Sequence, residues 1–152
     1  MSDVEARGET TPLAELSLTI AVLTFRRPDD IAAALPLLVQ QAATVADRVA
    51  DVRVLVVDND AAESARDLVV RFAHGEEDVR VVYVAEHRPG ITAARNRALV
   101  ESGDSDLLVF IDDDERPSDD WLAAHLSVFA EHGAAAVVGP VISRFPSEPD
   151  PW

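Results

Sequence analysis

Four consecutive carboxylates, Asp112, Asp113, Asp114 and Glu115, follow directly on the apolar run LLVFI at 107–111. At about 4 Å and an effective dielectric near 20, two like charges cost roughly 4 kcal/mol before relaxation and screening. A divalent cation relieves that repulsion, and hard oxygen ligands suit Mg2+ or Mn2+. In an extended segment alternate side chains share a side. The spacing therefore predicts that Asp112 and Asp114 face one site together while Asp113 points away. The other reading is a solvated acidic turn, since the chain carries 28 acidic residues against 13 basic ones and a formal charge of −15. The position at the end of a buried strand favours the metal.

Asp58 closes a second apolar run, VRVLVVD at 52–58. There it can accept hydrogen bonds from a ribose hydroxyl or a base N–H, or it can close an Asx turn. Asn59 and Asp60 read as turn and cap residues. Arg88, Arg95 and Arg97 crowd the start of a helix that opens after Gly90. Cations oppose the macrodipole at that end, so either an anion binds nearby or the arginines pair with the surplus acids. The four histidines show no metal-ligand spacing.

Composition closes several routes. Lysine is absent, because all 13 basic residues are arginine. Schiff-base chemistry and the phosphate-loop lysine are excluded with it. There is no cysteine, hence no disulfide, thiolate metal site or cysteine nucleophile. A sequence pI near 4.4 argues against nucleic acid as a partner. No apolar run is long enough for a membrane span, and the polar, acidic start is not a signal peptide. A cytoplasmic location is the expectation.

The elements that must position these residues alternate along the chain. After a leader over 1–16, expected to be flexible, strands are predicted at 17–25, 51–58, 79–85, 106–112 and 134–143 from their apolar, β-branched runs. Between them lie helical stripes. The longest is Ile31, Leu35, Leu38, Ala42, Val45 and Val49, with Pro36 inside it predicting a kink or restart. The next helix shows Ala65, Leu68, Val69 and Phe72. A helix over 91–102 carries small residues at Ala94 and Ala98, and the last shows Leu122, Leu126 and Phe129. A proline-rich tail, 144–152, closes the chain. This is an α/β pattern: one domain over 17–143, Rossmann-like, with a doubly wound, mostly parallel sheet and helices on both faces. Ligands of such sheets bind beyond the carboxyl ends of the strands.

The segments TIAVLTFRRP, VRVLVVDND, RPGITAARNRAL and LLVFIDDDERPSDDWL, taken in order, resemble the landmarks of family 2 glycosyltransferases, which have the GT-A fold. The resemblance spans about residues 18–140. It implies that Thr24 and Arg26 border the nucleotide, that Asp58 contacts the base or ribose, and that Gly90 and Arg95 belong to the donor site. It matches Asp112-Asp113-Asp114 to the Asp-x-Asp motif, with Asp112 and Asp113 on the nucleotide sugar and Asp112 and Asp114 on Mg2+ or Mn2+. The implied donor is a UDP-, GDP- or dTDP-sugar, the acceptor is unknown, and transfer inverts the anomeric carbon. In that family the general base lies C-terminal to the nucleotide half, and no residue here matches it. A truncated chain, a naturally short member, or a partner chain or second copy that supplies the rest are the three readings. The rival functions are a sugar-nucleotide-binding module without catalysis, another metal-dependent nucleotidyltransferase, and a phosphoacceptor receiver domain.

Overall fold

The computed structural model describes residues 11–76 and 78–143. Four strands and four α-helices alternate along it: β1 (Ser17–Thr24), α1 (Pro28–Val45), β2 (Asp51–Asp58), α2 (Arg66–Gly75), β3 (Arg80–Ala85), α3 (Ile91–Glu101), β4 (Leu107–Asp112) and α4 (Trp121–His132). The strands pair in the order β3-β2-β1-β4, all parallel. The chain thus winds from β1 through β2 to β3, then crosses back to lay β4 on the other side of β1. The point of reversal lies between β1 and β4, where Leu23 pairs with Asp112 in register. An open α/β sheet presents its ligand crevice at such a point. The order also departs from the 2-1-3-4-5 sheet of receiver-type folds. If β2 were taken as a receiver's first strand, its neighbours would have to be β3 and β4, whereas β2 lies between β3 and β1, and β4 pairs with β1.

The central strands β1 and β2 are buried along almost their whole length, as strands covered on both faces must be. One face of the sheet carries α1, α2 and α4, with Ile31, Leu35, Leu38, Val69, Leu122 and Leu126 in a single apolar cluster. The other carries α3, whose Ala94 and Ala98 sit against Ala21, Leu23, Leu55 and Val57. The predicted stripes of α1 and α3 bury, and of the α4 stripe Leu122 and Leu126 bury while Phe129 stays partly exposed.

Three expectations need correction. Residues 134–143 form no strand, and Val138, Val141 and Ile142 are exposed at 92%, 76% and 82%. The composition is strand-like, but Gly139-Pro140 interrupts it: proline cannot donate to a ladder and glycine weakens one. Gly139 instead lies against the His125 ring, so close that a Cβ there would stand 2.9 Å from the imidazole Cε1. Second, α1 runs through Pro36 without a restart. Pro36 and Ala32, whose carbonyl loses its intrahelical partner, both lie on the exposed side, where the freed carbonyl is open to solvent. Third, part of the expected leader is built into the domain. Leu13–Glu15 form a 3-10 turn, Leu13 packs on the main cluster, and the Ala50 N–H donates to the Leu16 carbonyl at 2.9 Å. The tail 144–152 and residues 1–10 lie outside the described residues.

Candidate functional site

A cavity of about 480 Å³ opens at the rim where β1 and β4 end. The end of β1 and the residue after it contribute Thr24 and Phe25, the residue after β2 is Asn59, the loop before α3 contributes Pro89 and Gly90, α3 contributes Ile91 and Ala94, and the end of β4 and the turn after it contribute Asp112, Asp113 and Asp114. The lining is thus partly acidic and partly apolar. This is the size and mixed character of a small-molecule site.

The acidic wall is a turn rather than an extended strand end. The Glu115 N–H donates to the Asp112 carbonyl at 3.1 Å, and the Glu115 carboxylate turns back to accept the Asp112 N–H at 3.1 Å. Arg116 Nη1 donates to the carbonyls of Asp113 and Glu115 from outside the turn. Glu115 is thereby withdrawn from the cavity. Asp113 is buried, only 4% exposed, while Asp112 and Asp114 are exposed. The alternation expected from the spacing therefore holds for exposure, although Asp113 still borders the cavity. Its carboxylate accepts from Thr24 Oγ1 at 2.8 Å and from Arg27 Nη1 at 3.2 Å. Burial raises the Asp113 carboxyl above its ordinary range, and Thr24 and Arg27 partly offset that. Arg27 Nη1 also donates to Asp114 Oδ2 at 3.0 Å. The two carboxylates in turn push the Arg27 guanidinium further toward its charged form.

Asp58 is placed differently from a ligand. It is fully buried and does not line the cavity. Oδ1 accepts the Asp60 N–H at 2.9 Å, and Oδ2 accepts the Ala65 N–H at 2.9 Å and the Tyr83 hydroxyl at 3.1 Å. Burial, then the Asp58 charge, push the Tyr83 phenol well above its ordinary range, so Tyr83 stays a donor. The carboxylate thus organises the loop from β2 to α2. The carboxylate of Asp60 also closes a local turn, accepting the Ala62 N–H at 3.2 Å.

Asn59, a turn residue by its sequence context, does more in the structure. Its backbone N–H donates to the Thr24 carbonyl at 2.9 Å. Its Nδ2 donates to the carbonyls of Glu86 and Arg88 at 2.8 and 2.7 Å, and its Oδ1 accepts the Gly90 N–H at 2.9 Å. One side chain thereby ties the loop before α3 to the ends of β1 and β2. Gly90 stands at φ 110° and ψ 148°, a region glycine tolerates and other residues resist. A Cβ there would meet nothing within 4 Å, so the cost of Gly90→Ala is backbone strain alone. The variant is expected to lose about 1–3 kcal/mol in a denaturant titration.

The arginines divide. Arg88 forms a forked pair with Glu86, Nε to Oε1 at 3.0 Å and Nη2 to Oε2 at 3.2 Å, and Arg97 pairs with Glu101 at 2.8 Å. These two follow the acid-pairing reading. Arg95 has no acidic partner among the described residues, but it stands exposed on α3 and does not line the cavity. Arg26 also stays outside it, its Nε 3.3 Å from Asp60 and its guanidinium 5.0 Å from the Phe25 ring centroid. The forked pair holds the Glu86 carboxyl down at about 2, against an ordinary 4.5. A depressed carboxyl stabilises the fold above its unfolded value and loses that contribution as pH falls toward its folded one. The stability gap between the wild-type chain and Glu86→Gln is therefore expected to be full above pH 4.5 and to close toward pH 2. Urea titrations across that window check it.

Of the residues singled out in the sequence, Thr24, Gly90, Asp112, Asp113 and Asp114 converge on the cavity, and Arg26, Asp58 and Arg95 do not. Phe25 and Arg27, of the segment matched to the family's nucleotide border, line it as well, as do Asn59, Pro89 and Ile91, to which the resemblance assigns no donor role. A signal for Arg27 was present: an arginine directly before Pro28, where a helix would take Ser, Thr, Asp or Asn as its cap.

A parallel sheet of this order with acidic residues at its reversal point defines an α/β protein of GT-A type. Residues 19–152 match the family described as Glycosyl transferase family 2, and the chain belongs to that family. Among curated proteins it is 40% identical over 141 residues to the succinoglycan biosynthesis protein ExoM of Rhizobium meliloti, covering 93% of this chain and 44% of that one. It is 28% identical over 94 residues to the glycosyltransferase AglE of Haloferax volcanii, covering 62% of this chain and 30% of that one. Among solved structures, the mannosyltransferase PcManGT of Pyrobaculum calidifontis, in complex with GDP-Man and Mn2+, superposes with a TM-score of 0.64 at 25% identity, over 83% of this chain and 36% of that one. S. aureus TarS 1-349 shares the fold, with a TM-score of 0.57 at 19% identity, over 85% of this chain and 39% of that one. The chain spans less than half the length of each of these proteins. Among the described residues, no helix is long and apolar enough to cross a membrane.

Proposed function

We propose that this chain binds a nucleoside-diphosphate sugar in the cavity between β1 and β4, and serves the transfer of that sugar to an acceptor with inversion, using Mg2+ or Mn2+. The observation that carries the reading is the convergence of Asp112, Asp113 and Asp114 on one cavity that Phe25, Pro89 and Ile91 also line. The apolar lining residues suit a nucleobase and the acidic ones suit a cation-borne diphosphate. The PcManGT complex with GDP-Man and Mn2+ supports the same pairing of nucleotide sugar and metal.

The residues fit such an ion. Among the described residues, no three carboxylate or imidazole side chains form a closed metal cluster. Mg2+ rarely uses an all-protein cage; it leans on one or two carboxylates and completes its shell with water and substrate phosphates. The exposed pair Asp112 and Asp114 at the rim offers that. Held by this pair, a divalent ion would supply positive charge against the negative charge that gathers on a departing diphosphate. Asp113, fixed by Thr24 and Arg27, sets the turn that aims its two neighbours. Gly90 brings bare backbone to the mouth of the site, held there by Asn59. Asp58 acts by shaping the loop beside the site through its bonds to Asp60, Ala65 and Tyr83.

A second reading is donor binding without transfer by these 152 residues alone. It is favoured by the relatives being more than twice as long, and no residue here is assigned as general base. A thermal-shift screen of nucleoside diphosphates and their sugars, with and without Mn2+, tests the binding claim common to both. Ligands that bind the folded state raise its midpoint by mass action. A Mn2+-dependent rise with at least one nucleoside diphosphate is expected, and no rise with any of them contradicts the proposal.

A further inference from the structure

Two adjacent residues at the cavity's edge each break a local preference. Arg26 sits in the left-handed region at φ 56°, where glycine or asparagine is usual. Arg27 occupies the N-cap of α1 with no side-chain cap hydrogen bond, and it places a cation at the positive end of the helix dipole. Such violations persist where something compensates them. The compensation is visible: the backbone set by Arg26 delivers the Arg27 guanidinium onto Asp113 Oδ1 at 3.2 Å and Asp114 Oδ2 at 3.0 Å. The Arg27 side chain is half-exposed, as is that of Asp114, while that of Asp113 is buried. The inner contact is thus shielded and the outer one is open to exchange.

We infer that Arg27 is a resident counter-cation for the acidic turn: it neutralises Asp113 and Asp114 until a divalent ion arrives, then yields Asp114 to that ion while keeping Asp113. The inference rests on the metal reading of the preceding section. It explains why a chain so rich in acid has an arginine at this cap, beside the acidic turn. Arg27 is a positioning residue in this account, acting on the ion through Asp114.

The test is Mn2+ binding by the full 152-residue chain, without nucleotide, followed by the electron paramagnetic resonance of free Mn2+. Arg27→Gln removes the competing charge and keeps an amide that can still donate to Asp113. It is expected to bind Mn2+ about threefold to tenfold more tightly than the wild-type chain, the effect of removing one positive charge near a partly solvated ion. Arg27→Lys keeps the charge and is expected to stay near wild type. Equal or weaker binding by Arg27→Gln, with Mn2+ still bound by both chains and lost in Asp114→Ala, overturns this inference and leaves the metal site standing. No Mn2+ binding by either chain overturns both. A measurement on the unaltered chain adds to this: the Arg27 side-chain 15Nε resonance is expected to move as Mg2+ is added. A resonance that stays fixed while Mg2+ binds overturns the inference.

Discussion

Asp112→Ala and Asp114→Ala are each expected to lower the Mn2+-dependent affinity for a nucleoside diphosphate by at least about tenfold to a hundredfold, with the fold intact. That range is what loss of even the outer supports of a metal ligand costs, so loss of a ligand itself should reach it. Both side chains are exposed and neither carries a structural hydrogen bond beyond the Arg27–Asp114 pair. A solvent-exposed pair is worth about 0–1 kcal/mol, and removing one of four crowded carboxylates relieves repulsion. Thermal midpoints should therefore stay within a few degrees of wild type. Calorimetric titrations with and without Mn2+ make the comparison. Unchanged affinity in both variants would remove the acidic turn from the site.

Asp58→Ala is expected to do the reverse, costing roughly 3–5 kcal/mol of stability. The substitution strips the partner from two buried backbone N–H groups, those of Asp60 and Ala65, and from the Tyr83 hydroxyl. Each buried donor left unpaired costs about 1–3 kcal/mol. Asp58→Asn should recover only part of this, because its amide nitrogen faces donors at one of the two positions. Denaturant midpoints measure the loss. A variant as stable as wild type that binds nucleotide poorly would return Asp58 to the role of direct ligand.

The fold was readable because burial is written into local pattern. β1 and β2 are continuous β-branched runs, and α1 repeats its apolar residues along one face from Ile31 to Val45. The one spurious strand shows where that pattern fails. Residues 134–143 have strand composition, but pairing is a non-local event, and Gly139-Pro140 spoils the ladder it would need.

The site was readable at the level of place and less so at the level of side chain. The strand ends beyond β1, β2 and β4 are where the cavity lies, as the doubly wound pattern dictates. The direction of each side chain there is set by turns that spacing does not encode. Asp58 and Asn59 illustrate this: the acid turns inward to close a loop, and the amide holds the neighbouring loop against the cavity. Arg26 and Arg27 show the same inversion. A left-handed residue between two sites of similar chemistry exchanges their roles, sending Arg26 out to Asp60 and Arg27 in to the acidic turn.

The most direct measurement is anomalous diffraction at the manganese edge from crystals of this chain grown with Mn2+ and a nucleoside diphosphate. The account predicts one anomalous peak at the rim between β1 and β4, about 2 Å from a carboxylate oxygen of Asp112 or Asp114, with the diphosphate on its far side. Nucleotide bound with no peak at that rim, or a peak elsewhere on the molecule, would contradict it.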